Sequence, residues 1–306
     1  MRSIKLGLSG LDVPVIAVGC MRMQSLDGKA AQAFIQSALD KGANFFDHAD
    51  VYGDGLSEEF FANAVSMSAS VREKLLLQTK CGISRKGMFD FSKENILNAV
   101  DGSLKRLKTE YIDVLLLHRP DALVEPEEVA QAFDILESSG KVRHFGVSNQ
   151  KPMQIELLKK YVKQPIVTNQ LQLSITNATM ISNGINVNME NDAAIDRDGS
   201  VLDYCRLKDI TVQPWSPFQY GFFEGVFLGS DKFPELNKKI NEIAERYGVP
   251  STTIVIAWLL RHPAKFQPVI GTMNAQRLTD CCKAADITLT KLEWYEIYRS
   301  AGNILP

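Results

Sequence analysis

The chain has 306 residues, of which 45% are hydrophobic, 23% charged and 8% aromatic, so it can bury a sizeable core and is not of a disordered, collagen-like or low-complexity class. Its 34 basic and 36 acidic residues leave a net charge of −2 with no run of one sign, which argues against a nucleic-acid-binding surface. No apolar run is long enough for a membrane span and no signal-peptide h-region opens the chain.

Around a Ser9-Gly10 turn signal, residues 4–6 and 12–14 read as a short N-terminal β-hairpin. Strands and helices then alternate. Strands are expected at 15–18, 44–46, 75–79, 112–117, 142–147, 166–168, 211–213 and 267–270. The fourth carries Val114-Leu-Leu-Leu117, the apolar character of a strand covered on both faces of a parallel sheet. Helices are expected at 29–41, closed by Gly42; 57–68, with Ser57 as N-cap; 92–107; 126–139, closed by Gly140; 153–161; 199–208; 235–247, closed by Gly248; 251–262; and 275–285. Thr290-x-x-Glu293 is a capping box opening a final short helix.

Eight strand–helix units without a linker predict an α/β fold, one (β/α)8 TIM barrel domain over residues 1–306. A doubly wound sheet would carry G-x-G-x-x-G after its first strand, where this chain reads Gly19-Cys-Met-Arg-Met. The stretch 174–198, rich in Asn and Asp, is expected to be a long irregular loop of functional or mobile character. The five cysteines are scattered with no C-x-x-C, which excludes a disulfide framework or zinc ribbon and points to a cytoplasmic location. The vicinal Cys281 and Cys282 read as small buried hydrophobes.

In such a barrel the active site lies at the C-terminal ends of the strands. The polar residues just past the expected strands are Asp47, Lys80, His118, Ser148, Asn149, Gln170, Trp215, Ser216, Gly271 and Thr272, and Tyr52 lies five residues beyond Asp47. A phenol titrates near pH ~10, and a cation within about 4–6 Å lowers that value. Lys80 can supply the cation, Asp47 can hold the ammonium charged, and His118 can orient a substrate carbonyl. Each residue alone has a plainer explanation, as a cap, an ion-pair partner or a core histidine. Their joint arrival on neighbouring strand ends favours proton-transfer chemistry. Groups of this kind form no bond to carbon themselves, so a cofactor is implied. A rival set, His48, Asp50, His118 and His144, would suit a metal-dependent hydrolase, but it lacks an H-x-H pair, and no metal is expected.

Four segments then resemble, in order, those of the aldo-keto reductases, and of their bacterial oxidoreductase branch. They are Asp47-His-Ala-Asp-Val-Tyr52-Gly53; Leu75-Leu-Leu-Gln-Thr-Lys80; Asp113-Val-Leu-Leu-Leu-His118-Arg-Pro; and Gly140-Lys-Val-Arg-His-Phe-Gly-Val-Ser148-Asn149. The resemblance implies a barrel enzyme that reduces an aldehyde or ketone with NADPH (NADP+), NADH also being admitted, and that acts as a monomer on a small-molecule carbonyl substrate. It implies Tyr52 as proton donor, Lys80 and Asp47 as its tuning pair and His118 as the carbonyl-positioning group. Cofactor contacts implied in the same way are Asp47, Cys20 and Met21; Ser148, Asn149 and Gln170 at the carboxamide; Trp215 stacked on the nicotinamide; and Ser216, Pro217 and Phe218 at the pyrophosphate. Thr272 and Arg277 would meet the 2′-phosphate and Asp280 the adenine, with Gly271 standing where NADP-preferring members often have a basic residue. The alternative is a cofactor-binding regulatory subunit resembling the β-subunits of potassium channels. Substrate choice is expected from residues 21–26, 82–91, the stretch after Ser174 and Phe222-Phe223, over a site left open by a chain that ends soon after its last helix.

Overall fold

The computed structural model describes residues 1–84 and 86–306. Its main sheet consists of β1 (Ala17–Gly19), β2 (Phe45–Asp47), β3 (Leu76–Cys81), β4 (Ile112–Leu117), β5 (Val142–Ser148), β6 (Ile166–Gln172), β7 (Thr211–Trp215) and β8 (Val269–Ile270). Strands run in the order β7-β6-β5-β4-β3-β2-β1-β8, each parallel to its neighbour. Between β8 and β7 the ladder gives way to two bonds at Gln267. Its backbone N–H donates to the Val212 carbonyl at 3.1 Å, and its side-chain carbonyl accepts from Gln213 at 2.8 Å. The sheet thus closes into the expected (β/α)8 barrel.

The outer layer comprises α1 (Gly28–Asp40), α2 (Leu56–Ala64), α3 (Lys93–Leu107), α4 (Pro126–Ser138), α5 (Pro152–Lys159), α6 (Val201–Leu207), α7 (Pro234–Tyr247), α8 (Ser251–Leu260), α9 (Ala275–Cys282) and α10 (Lys291–Ser300). The two-residue period of a strand separates two apolar sets along β4. Leu115 and Leu117 join the large cluster under the helices, while Val114 and Leu116 join Ala17, Phe45, Val167 and Val269 inside the barrel. The N-terminal hairpin pairs Ser3–Lys5 with Asp12–Pro14 and drives Leu6 and Val13 into that inner cluster. Gly7 has φ +49° and packs so closely that a Cβ there would lie 2.3 Å from the Val167 carbonyl oxygen. The hairpin therefore plugs the N-terminal end and leaves the opposite end for the site.

Several expectations need correction. Strands β3, β6 and β7 run two to four residues further than the periodicity indicates, to Cys81, Gln172 and Trp215. Their added residues include Lys80 and Gln170, whose side chains bond Asp47 inside the cylinder, so polarity there does not mark a loop. Ser57 is not an N-cap; Gly55 precedes α2, and the buried Ser57 hydroxyl donates to Met21 O and Gln24 Oε1. That helix ends at Ala64, and Ser68 caps a separate turn at Ala69–Arg72. The stretch 174–198 is not wholly irregular, since Thr179–Ile185 is helical and Asp192–Ala194 is a 3-10 turn. The capping box at Thr290 and Glu293 is present. Cys281 and Cys282 are free and buried, and burial pushes the Cys282 thiol up to about 11.

Candidate active site

The end of β2 and the turn after it converge on the Lys80 ammonium at the end of β3. The side chain is fully buried at the end of β3, where desolvation alone would favour its neutral form. Its three donors are all used: on Asp47 Oδ2 at 2.8 Å, on the His48 carbonyl at 2.8 Å and on Tyr52 Oη at 3.2 Å. Burial is the largest single influence and lowers the Lys80 pKa, but the Asp47 carboxylate and the Tyr52 oxygen together outweigh it and hold the value above the ordinary one. The other Asp47 oxygen accepts from Gln78 Nε2 at 2.6 Å and Gln170 Nε2 at 3.1 Å. Behind it a glutamine ladder continues from Gln78 and Gln170 to Gln213, then to Gln267, then to the Pro14 carbonyl of the hairpin. A buried polar network of this kind is stiff when its members are paired, and it fixes the carboxylate that fixes the lysine.

Tyr52 sits in the turn between β2 and α2. Because its oxygen accepts from Lys80, its own O–H proton is free to point elsewhere. Lys80 lowers the phenol pKa in the expected direction, but the net shift is upward. Desolvation raises it more than Lys80 lowers it, and the nearby Asp47 adds to the rise. The group is therefore a phenol at neutral pH. His118, at the end of β4, meets the Tyr52 ring edge-on with centroids 5.9 Å apart. Burial and the Lys80 charge hold its pKa well below the ordinary value, so the imidazole is neutral.

Beside this group, Ser148 Oγ donates to the Gln170 carbonyl at 3.0 Å and accepts from Asn149 Nδ2 at 2.7 Å. Asn149, at φ +58°, in turn accepts from Trp215 Nε1 at 3.1 Å. The indole of Trp215 is stacked at 5.9 Å on Phe223, next to the exposed Phe222. Ser216 has φ +53° and leads into buried Pro217 and half-buried Phe218. On the far rim, Asn274 caps α9 through the Arg277 N–H at 2.9 Å, and Thr272 Oγ1 accepts from the Asn274 N–H. Arg277 is exposed, whereas Asp280 is tied to Lys283 at 2.8 Å. Met21 is exposed, and the Cys20 thiol is fully buried with its proton directed at the Val18 carbonyl, close enough to Asp47 and Lys80 to feel their charges.

Three contributors escaped the sequence reading. Gln78 and Gln213 lie within otherwise apolar strands, and their alternation with Leu77 and Val212 was the available signal. Arg22 donates to the Gly271 carbonyl and so brings a cation over a glycine that has none. This is a tertiary contact with no local signature. The four rival metal ligands are not gathered: among the described residues no group of three or more His, Cys, Asp and Glu is placed to hold an ion. His48 instead packs edge-on against Phe61 at 4.7 Å, and burial drops its pKa to about 3. Among the described residues no helix is long and apolar enough to cross a membrane.

Asp50, two residues before Tyr52, has a buried Oδ1 with no partner among the described residues and the carboxylate of Glu58 nearby. Burial, with that like charge, raises its pKa from 3.8 to about 7. The folded state then binds this proton more tightly than the unfolded chain does, so its contribution to stability falls as pH rises from 3.8 to about 7. Asp50→Asn should open an advantage in Tm over the parent across that interval and hold it at higher pH. A difference independent of pH in thermal melts would show that Asp50 is ionised throughout.

Residues 15–301 match the model of the Aldo/keto reductase family. The chain is 36% identical over 277 residues to the uncharacterized oxidoreductase YcsN of Bacillus subtilis, covering 87% of this chain and 86% of that protein. It is 33% identical over 280 residues to a 6-dehydroglucose reductase of Agrobacterium fabrum, with 88% and 87% covered. Oxidoreductase YdhF of Escherichia coli is 30% identical over 311 residues, with 98% of each chain covered. The crystal structure of the thermostable aldo-keto reductase Tm1743, bound to the inhibitor epalrestat, superposes with a TM-score of 0.77 at 24% identity. The match covers 98% of this chain and 100% of that one, a likeness of fold.

Proposed function

The chain belongs to the aldo-keto reductase family, and on that premise we propose that it reduces an aldehyde or ketone to the alcohol with NADPH, Tyr52 delivering the proton. One observation carries the reading: the Lys80 ammonium spends its three donors on Asp47, His48 and Tyr52. The phenol oxygen is thereby held by a charge while its own hydrogen stays available to a carbonyl oxygen in the mouth. A bound nicotinamide cofactor supplies the hydride for the carbonyl carbon. Neutral His118, beside the Tyr52 ring, orients that carbonyl, and the cation behind Tyr52 stabilises the phenol oxygen as its proton leaves.

The residues present suit such a cofactor. Gln170 commits its amide nitrogen to Asp47, which leaves its carbonyl oxygen, with the Ser148 and Asn149 side chains, for a carboxamide. Trp215 offers the planar surface for a nicotinamide ring. Arg277, in the first turn of α9, and Arg22, over Gly271, are exposed cations at a helix N-terminus, the setting in which a phosphate is bound well. The 2′-phosphate of NADPH is the group we assign there. We read the protein as one domain that acts as a cytoplasmic monomer. The 6-dehydroglucose reductase relative points to a small, carbohydrate-derived carbonyl as one substrate class.

The test is a panel of aldehydes and ketones mixed with protein and NADPH while cofactor absorbance is followed. Consumption with at least one carbonyl is expected, and none with any would turn the reading to a cofactor-binding regulatory role. In the same titrations Arg277→Ala should raise the Kd for NADPH about tenfold and change that for NADH little. Equal weakening of both would place the 2′-phosphate elsewhere.

A further inference from the structure

Arg119 follows His118 at the end of β4 and is half-buried in the mouth. Its guanidinium carbon lies 5.5 Å from the centre of the ring of Trp215, which ends β7. Two other guanidiniums in the protein's interior are matched by acids, Arg72 by Asp113 at 2.6 Å and Arg106 by Glu58 at 2.8 Å, while half-buried Arg261 donates to the Leu289 carbonyl at 2.7 Å. Arg119 has no hydrogen bond and no ion pair among the described residues, although it carries five N–H donors. Removing such a group from water without a partner is costly. Burial accordingly pulls its pKa down, while the phenol oxygen of Tyr52 acts in the opposite direction. The neighbouring cation, Lys80, already has its acid in Asp47. A positive charge with no acid partner among the described residues therefore stands one residue from the group that orients the carbonyl.

We propose that Arg119 sets substrate specificity by binding an anionic substituent, a carboxylate or phosphate, carried by the carbonyl substrate. This rests on the reductase reading above and narrows its substrate class. The planar fork of Arg119 pairs with two oxygens of the anion, and the Trp215 ring holds the fork in place. Because Arg119 adjoins His118, the anion sits only a few bonds from the carbonyl that Tyr52 protonates. Phe222 and Phe223 flank Trp215 at the same rim.

The experiment compares kcat/KM within two pairs: succinic semialdehyde against its methyl ester, and glyceraldehyde 3-phosphate against glyceraldehyde. In the parent protein the charged member of at least one pair should be favoured about tenfold or more, chiefly through KM; which pair responds tells carboxylate from phosphate. Arg119→Met should bring that ratio close to one, and Arg119→Lys should restore part of it. Turnover without a preference for the charged member, or a preference that survives Arg119→Met, overturns the assignment of Arg119 and leaves the reductase reading intact. Failure of all four compounds, together with the whole carbonyl panel, would remove the reductase reading and this proposal with it.

Discussion

Tyr52→Phe should lower kcat for carbonyl reduction about 10²- to 10⁴-fold, the usual worth of a positioned proton donor. The ring is kept, so the edge contact with His118 and the packing of the mouth survive. The Kd for NADPH, read from quenching of tryptophan fluorescence, should stay within about threefold of the parent value. The same phenol governs the pH profile. Its pKa lies above 10.0 because burial outweighs the help from Lys80. Reduction, which consumes the protonated form, should stay level through neutrality and fall only in strong alkali. Alcohol oxidation needs the deprotonated form and should rise with pH over the same range. A kcat within tenfold of the parent would assign the proton to another group.

Lys80→Met should be the most damaging single change to stability as well as to turnover. It leaves the Asp47 carboxylate, 2% exposed, without its cation inside the barrel. Stranding one member of a buried ion pair costs about 3–5 kcal/mol. In a chain of this size that corresponds to a fall in Tm on the order of 10 °C. The double variant Asp47→Asn with Lys80→Met should regain most of the lost Tm, because no charge is then stranded, while reduction stays lost. A single variant that melts with the parent would mean that the glutamines around Asp47 satisfy it alone. Melting curves of the two variants beside the parent decide the matter.

These expectations drew unequally on sequence and coordinates. Val114-Leu-Leu-Leu117 announced a strand covered on both faces, and Thr290 with Glu293 announced a helix start; both rest on contacts within a few residues of chain. Asp47, Tyr52, Lys80 and His118 were legible together because a (β/α)8 barrel sends every strand's C-terminal end to one rim. Gln78 and Gln213 were not, since a polar residue inside an apolar run takes its meaning from a partner on another strand.

By itself, then, the amino-acid order determined the alternation of strands and helices, the N-terminal hairpin and the rim positions of the candidate site. Period-two and period-3.6 patterns, caps and turn residues act locally and can be read along the chain. Only the tertiary structure decided that Tyr52 remains a phenol, that Asp50 titrates near neutrality and that Arg119 has no acid partner among the described residues. Desolvation and charge pairing depend on what surrounds a group in three dimensions, and residues far apart in the chain supply those surroundings.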